Sequence, residues 1–215
     1  TFNGLAEGAT VTIGSVNFRI SYAGGVGGND VTLTEDGPAS FTGDATSENF
    51  ELLRVGDNIQ LLRNGVIVDS RPISSVTSYS VNGGDGSDTL TVNYGAPGGF
   101  FGTPITFNGQ ANTTGAGDKL TVQGSSFTGL EYDATGIGAG MLTTTGNATT
   151  ITFTGLEPVV VTSALGTVTI DVDNAGVDAF AGPITTTITD AAGANMLVSF
   201  NVGAENMTFT TPTVE

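Results

Sequence analysis

Acidic side chains set among glycines are the groups in this chain with the clearest chemical potential. Gly83-Gly84-Asp85-Gly86-Ser87-Asp88-Thr89-Leu90-Thr91 matches a Gly-Gly-x-Gly-x-Asp-x-apolar-x nonapeptide. In a β-roll built from that pattern, Ca²⁺ sits between successive turns. The ion needs several oxygen ligands, which tandem copies supply. One full copy is present, and the segments at 24–33 and 115–121 are degenerate and distant. A single copy reads as a tight corner whose Asp88 bonds the backbone of its own turn. A second acidic stretch runs Asp171-Val172-Asp173-Asn174-Ala175-Gly176-Val177-Asp178. It fails the EF-hand pattern, because Ala175 stands where an oxygen ligand belongs and no Glu closes the loop. On a strand, Asp171 and Asp173 would share one face. Asp88, Asp171 and Asp173 are therefore the calcium candidates. A tight site is not expected, since ligands from tandem copies are missing.

Other chemistry has little to work with. The chain has no Cys and no His, which removes thiol nucleophiles, His bases, disulfides and Cys/His metal sites. A glycoside hydrolase needs two carboxyl groups at a fixed separation, one of raised pKa. Asp171 and Asp173 are the close same-face pair in the C-terminal half. A lyase needs a cationic base, and Arg19, Arg54, Arg63, Arg71 and Lys119 are the available bases. None clusters with acids in the sequence, so a non-enzymatic protein is expected. The 5 bases stand against 21 acids, for a net charge of -16. That balance repels nucleic acid. Residues 120–215 hold nine acids and no base, so acids there must face water or metal ions. No apolar run approaches the ~18 residues of a spanning helix, so no membrane span is expected.

The elements that must carry these residues are strands. Thr10-Val11-Thr12-Ile13, Val16-Asn17-Phe18-Arg19-Ile20, Thr89-Leu90-Thr91-Val92, Ile151-Thr152-Phe153-Thr154 and Thr167-Val168-Thr169-Ile170 alternate apolar with polar. Period two gives one buried and one wet face. Asn64-Gly65 between apolar runs is a hairpin signal, and it places an antiparallel meander near residues 50–71. Phe-x-Gly recurs at Phe2, Phe41, Phe107, Phe127 and Phe153, and Leu-Thr-Val recurs at Leu90 and Leu120. Such repeats suit a coil of roughly 20–26 residues, stacked on its neighbours because it cannot bury its own face. Each Phe should point inward, and each Gly should turn a corner with φ > 0. The fold expected is all-β, a right-handed parallel β-helix (β-solenoid) with that small meander. The expected divisions are 1–36, the end of a preceding solenoid unit; 37–80, linker and meander; and 81–215, solenoid coils.

Thr1-Phe2-Asn3-Gly4-Leu5-Ala6-Glu7-Gly8-Ala9-Thr10-Val11, Phe18-Arg19-Ile20-Ser21-Tyr22 and Gly24-Gly25-Val26-Gly27-Gly28-Asn29-Asp30-Val31-Thr32-Leu33-Thr34 resemble the closing unit of autotransporter-associated β-strand repeats. Units of that kind occur in giant tandem β-helix cell-surface proteins of planctomycetes and related bacteria. The meander, residues 83–92 and Ile151-Thr152-Phe153-Thr154-Gly155-Leu156-Glu157-Pro158 look like the next module. Val26-Gly27-Gly28-Asn29-Asp30 is one residue longer than the usual turn, and Lys119 replaces a small polar residue. The resemblance implies an exported, extracellular stalk, scaffold or adhesin. Its partners would be neighbouring solenoid modules of the same chain, or other copies end to end. The alternative is a β-helix module that binds or processes polysaccharide. A third reading, less favoured, is an ice- or surface-binding solenoid built on Thr-x-Thr ranks such as Thr89/Thr91 and Thr167/Thr169. Thr at the first position with no leader behind it, and an end without punctuation, read as a piece cut from a longer protein.

Overall fold

A computed structural model describes residues 2–110, 117–171, 186–191, 195–200 and 207–210. They are all-β and form two mixed sheets. Following the chain shows how the sheets are built. Strands β1 (Thr10–Ile13), β2 (Val16–Gly24) and β3 (Asp30–Thr42) lie in sheet one. The chain crosses to sheet two for β4 (Asn49–Val55), β5 (Asn58–Arg63) and β6 (Val66–Pro72). A 3-10 turn, Ile73–Ser75, leads back to sheet one as β7 (Val76–Asn82). Then β8 (Thr89–Pro97) lies in sheet two, β9 (Ile105–Asn108) in sheet one and β10 (Asp118–Gln123) in sheet two. Sheet one receives β11 (Ser126–Gly136), β12 (Ala139–Thr145) and β13 (Thr149–Thr154), sheet two β14 (Leu156–Val161), and sheet one β15 (Ala164–Asp171). Finally β16 (Thr186–Ala191), β17 (Asn195–Phe200) and β18 (Met207–Thr210) join sheet two.

Sheet one has the order β1-β2-β3-β7-β9-β13-β12-β11-β15, and sheet two β16-β17-β18-β14-β10-β8-β4-β5-β6. The strands that alternate between sheets pair in parallel. They are β3, β7, β9 and β13 on one side, and β4, β8, β10, β14 and β18 on the other. Strands joined by short turns within a sheet pair antiparallel, as in β4-β5-β6. The meander therefore lies where Asn64-Gly65 places it, and both residues have positive φ, 51° and 79°. Among the described residues no helix is long and apolar enough to cross a membrane.

Register explains the core. Phe41, Val81, Phe107 and Phe153 align across four strands of sheet one. Leu90-Thr91-Val92 aligns residue for residue with Leu120-Thr121-Val122 in sheet two. The apolar members face between the sheets, and Val81, Leu90, Val92, Phe107, Leu120 and Phe153 are fully buried. Burying such a side chain is worth ~1.5–3 kcal/mol.

Three expectations change. Residues 37–42 are strand rather than linker, because alternation buries Ala39 and turns Ser40 and Thr42 outward. Phe2 is 59% exposed and leans on Tyr22 instead of entering the core. The glycines of Phe-x-Gly also serve a different purpose. Gly4 and Gly155 have positive φ, but Gly43, Gly109 and Gly129 do not. At Gly43 and Gly109 a Cβ would occupy the place of a carboxylate oxygen. Lack of a side chain, not backbone freedom, is what those two corners require.

Candidate functional site

Three carboxylates stack at one corner between the sheets. The turns that lead from β3 to β4, from β7 to β8 and from β9 to β10 end on Glu48, Asp88 and Asp118. All three side chains are buried, at 1%, 0% and 0% exposure. Each turn begins with a glycine, and the acid packs against it. A Cβ on Gly43 would meet Glu48 Oε2, on Gly83 Asp88 Oδ2, and on Gly109 Asp118 Oδ2.

Hydrogen bonds tie the stack together from turn to turn. Asp88 Oδ1 accepts the Glu48 amide at 2.8 Å, and Asp118 Oδ1 accepts the Asp88 amide at 2.7 Å. Main-chain bonds run alongside, from Thr89 N to Glu48 O and from Lys119 N to Asp88 O. The nonapeptide acid thus bonds the neighbouring turn, not its own. At one end, the Arg63 guanidinium contacts both Glu48 and Asp44. Glu48 Oε2 also accepts the Asp44 amide at 3.2 Å.

Asp88 has the most costly position. Its Oδ2 has no hydrogen-bond partner among the described residues. Burial pushes its carboxyl up to about 6. The accepted Glu48 amide works against that shift, while the charges of Asp118, Glu48 and Asp44 add to it. At the other extreme, Asp44 is held below the usual carboxylate range by the Thr46 hydroxyl, then by Arg63.

The other two calcium candidates are separated from this corner. Asp171 ends β15 and lies in register with Asp133 of β11. Asp133 Oδ1 is buried without a hydrogen-bond partner, and burial together with the Asp171 charge raises its pKa. Asp173 lies outside the described residues. Among the described residues no group of three or more acids is placed to hold a metal ion.

The buried stack offers no open face to a substrate. A recess of about 260 Å³ over Gly102, Pro104, Thr143, Thr144, Ala148, Thr149 and Thr150 contains no acid or base. Another, of about 400 Å³, is lined by Arg54, Asp57, Pro72, Ile73 and Ser74. Sequence reasoning found Asp88 but missed Glu48 and Asp118. The available signal was the matched spacing Gly43-x4-Glu48 and Gly83-x4-Asp88. Comparison with protein-family models, with curated proteins and with solved structures finds no match to this chain.

Proposed function

We propose that the chain is a non-enzymatic, load-bearing module of a large exported bacterial surface protein, wound as a right-handed parallel β-helix. The observation that carries this reading is the repeated corner Glu48–Asp88–Asp118, reached by three successive crossings from sheet one to sheet two. Equivalent residues recur there once per circuit, as stacked coils require. The ladder Phe41–Val81–Phe107–Phe153 supports the same reading from the interior. Right-handedness follows the strong preference of parallel crossover connections. Antiparallel pairs and triplets such as β5-β6 and β11-β12 are then hairpins added within a circuit.

The partners proposed are neighbouring modules or further copies, met end to end. The β1–β3 sheet supports a contact at that end. Ile13, Val31 and Leu33 are 54%, 50% and 45% exposed, and the register puts them on one face. The β6 edge is poorly suited to strand pairing. It has a register shift between Leu61 and Leu62, it ends on Pro72, and its Asp69 binds Arg71 and the Tyr79 hydroxyl. Irregularity, proline and charge are the devices that blunt an edge.

Single-molecule pulling between the two ends tests the load-bearing role. Circuits of 26 to 46 residues, counted from Gly43 to Gly83, Gly109 and Gly155, should release in force-resisting steps of roughly 90–160 Å at ~3.4 Å per residue. Extension without resisting force would contradict it.

A further inference from the structure

The outward side of sheet one carries two ranks of short neutral polar side chains. Thr42, Asn82, Asn108 and Thr154 align across β3, β7, β9 and β13. Ser40, Ser80, Thr106 and Thr152 align beside them. Their strand neighbours Ala39, Val81, Ile105, Phe107, Ile151 and Phe153 are buried in the core, so the ranks face away from it. Ser40, Thr42, Thr106, Thr152 and Thr154 are exposed, and Ser80, Asn82 and Asn108 are half-buried. The ranks are spaced by the sheet itself, ~4.8 Å from strand to strand and ~6.7 Å between same-face residues along a strand. The first rank is partly tied in place. Asn82 Nδ2 donates to Thr42 Oγ1 at 3.4 Å, and the Thr154 hydroxyl donates to Asn108 Oδ1 at 3.1 Å.

None of these eight residues is charged, on a chain of net charge -16. We propose that this face is a docking surface for a neutral polysaccharide chain lying across the strands. The proposal adds a ligand to the load-bearing reading and does not depend on it. Charge selects the occupant. A polyanion is repelled by the excess of acids, and so is a second copy with the same excess. A polycation would be drawn to the acids elsewhere rather than to a neutral strip. An uncharged polyhydroxyl chain meets none of these forces. Hydroxyl and amide groups both donate and accept, as sugar hydroxyls do. Each bond of this kind is worth only about 0.5–1.5 kcal/mol net. Repetition along two ranks lets many weak contacts act together on one polymer.

Native affinity electrophoresis tests the proposal, with hydroxyethyl cellulose and dextran as neutral probes and alginate as the anionic one. Migration should be retarded by at least one neutral polymer and not by alginate. The retardation should be lost in Thr106→Glu/Thr152→Glu and kept in Thr91→Glu, on the outer side of sheet two, all three proteins keeping the wild-type circular dichroism spectrum. No retardation by either neutral polymer would overturn the proposal. So would retardation by alginate, or retardation that survives Thr106→Glu/Thr152→Glu. Sedimentation and freezing-hysteresis measurements on the same variants cover the other occupants. A dimer, or a freezing hysteresis, abolished by Thr106→Glu/Thr152→Glu would assign the face to a second copy or to ice and overturn the glycan reading.

Discussion

Asp88 accepts the main-chain amide of Glu48 at 2.8 Å, across 40 residues of sequence. Asp118 makes the same contact with Asp88 across 30 residues, at 2.7 Å. Each acid thereby fixes the height of one turn over the next. The cost is three buried carboxylates with Arg63 at one end of the stack.

That cost should be visible in the pH dependence of stability. Asp88 titrates at about 6 in the folded protein against 3.8 as the reference value. Between those values the folded state binds more protons than the unfolded one, so stability falls as pH rises from about 4 to about 6. Asp133 is shifted in the same direction. Glu7 and Asp44 are shifted down, and their contribution is lost only as pH falls below their reference values of 4.5 and 3.8. Thermal melts should therefore show Asp88→Asn with a higher Tm than wild type at pH 8. The two should converge near pH 4. A lower Tm for Asp88→Asn at pH 8 would mean that the ionised carboxylate stabilises the stack.

Arg63 and Glu48 should behave as a coupled pair. Removing the guanidinium leaves a buried carboxylate uncompensated. Arg63→Ala should lower Tm, and Glu48→Gln in the same chain should restore part of the loss. Additive losses in the double variant, measured by chemical denaturation, would show no coupling between the two.

The corner glycines should divide by what a methyl group meets. On Gly84, at φ +105°, a Cβ would stand 2.2 Å from the Asp44 carbonyl oxygen. On Gly56, at φ +59°, it would meet nothing within 4 Å. Gly56→Ala should cost about 1 kcal/mol, the strain of a positive φ alone. Gly84→Ala should cost more than about 3 kcal/mol, since backbone must move. Equal losses in urea denaturation would contradict the tight contact between these turns.

The two Phe environments should differ as sharply. Phe107 is fully buried in the ladder, whereas Phe2 is 59% exposed. Phe107→Ala should cost ~3–5 kcal/mol. Phe2→Ala should fall within ~0.5 kcal/mol of wild type. Calorimetric melts of the two variants would check this.

Much of the fold was legible in particular residues. The alternation in Thr89–Val92 and Ile151–Thr154 marks strands, Asn64-Gly65 marks the meander, and the Leu-Thr-Val pair marks two strands that lie side by side. The division into two sheets was not legible. Strands of either sheet have the same period, and the pattern does not say which strand pairs with which. Residues 37–42 were misread because Ser and Thr on an outward face resemble a loop composition. The corner stack was half legible. Asp88 stood out through its nonapeptide, but a local pattern cannot show that its hydrogen bond reaches a turn 40 residues away. Asp118 follows Gly109 at a longer spacing than its counterparts, which hid the third member.

The central claim is that the chain passes from sheet to sheet and returns to lie parallel on its previous pass. Because the chain has no Cys, paired cysteines test it directly. Ser80 and Thr106 are register neighbours on β7 and β9, while Thr91 lies in the other sheet. Neighbouring strands lie ~4.8 Å apart, within the Cα range a disulfide spans. Oxidised Ser80→Cys/Thr106→Cys should form an intramolecular disulfide with native circular dichroism, and Thr91→Cys/Thr106→Cys should not. Crosslinking of Thr91→Cys/Thr106→Cys in place of Ser80→Cys/Thr106→Cys would show a β8-β9 hairpin and contradict the account.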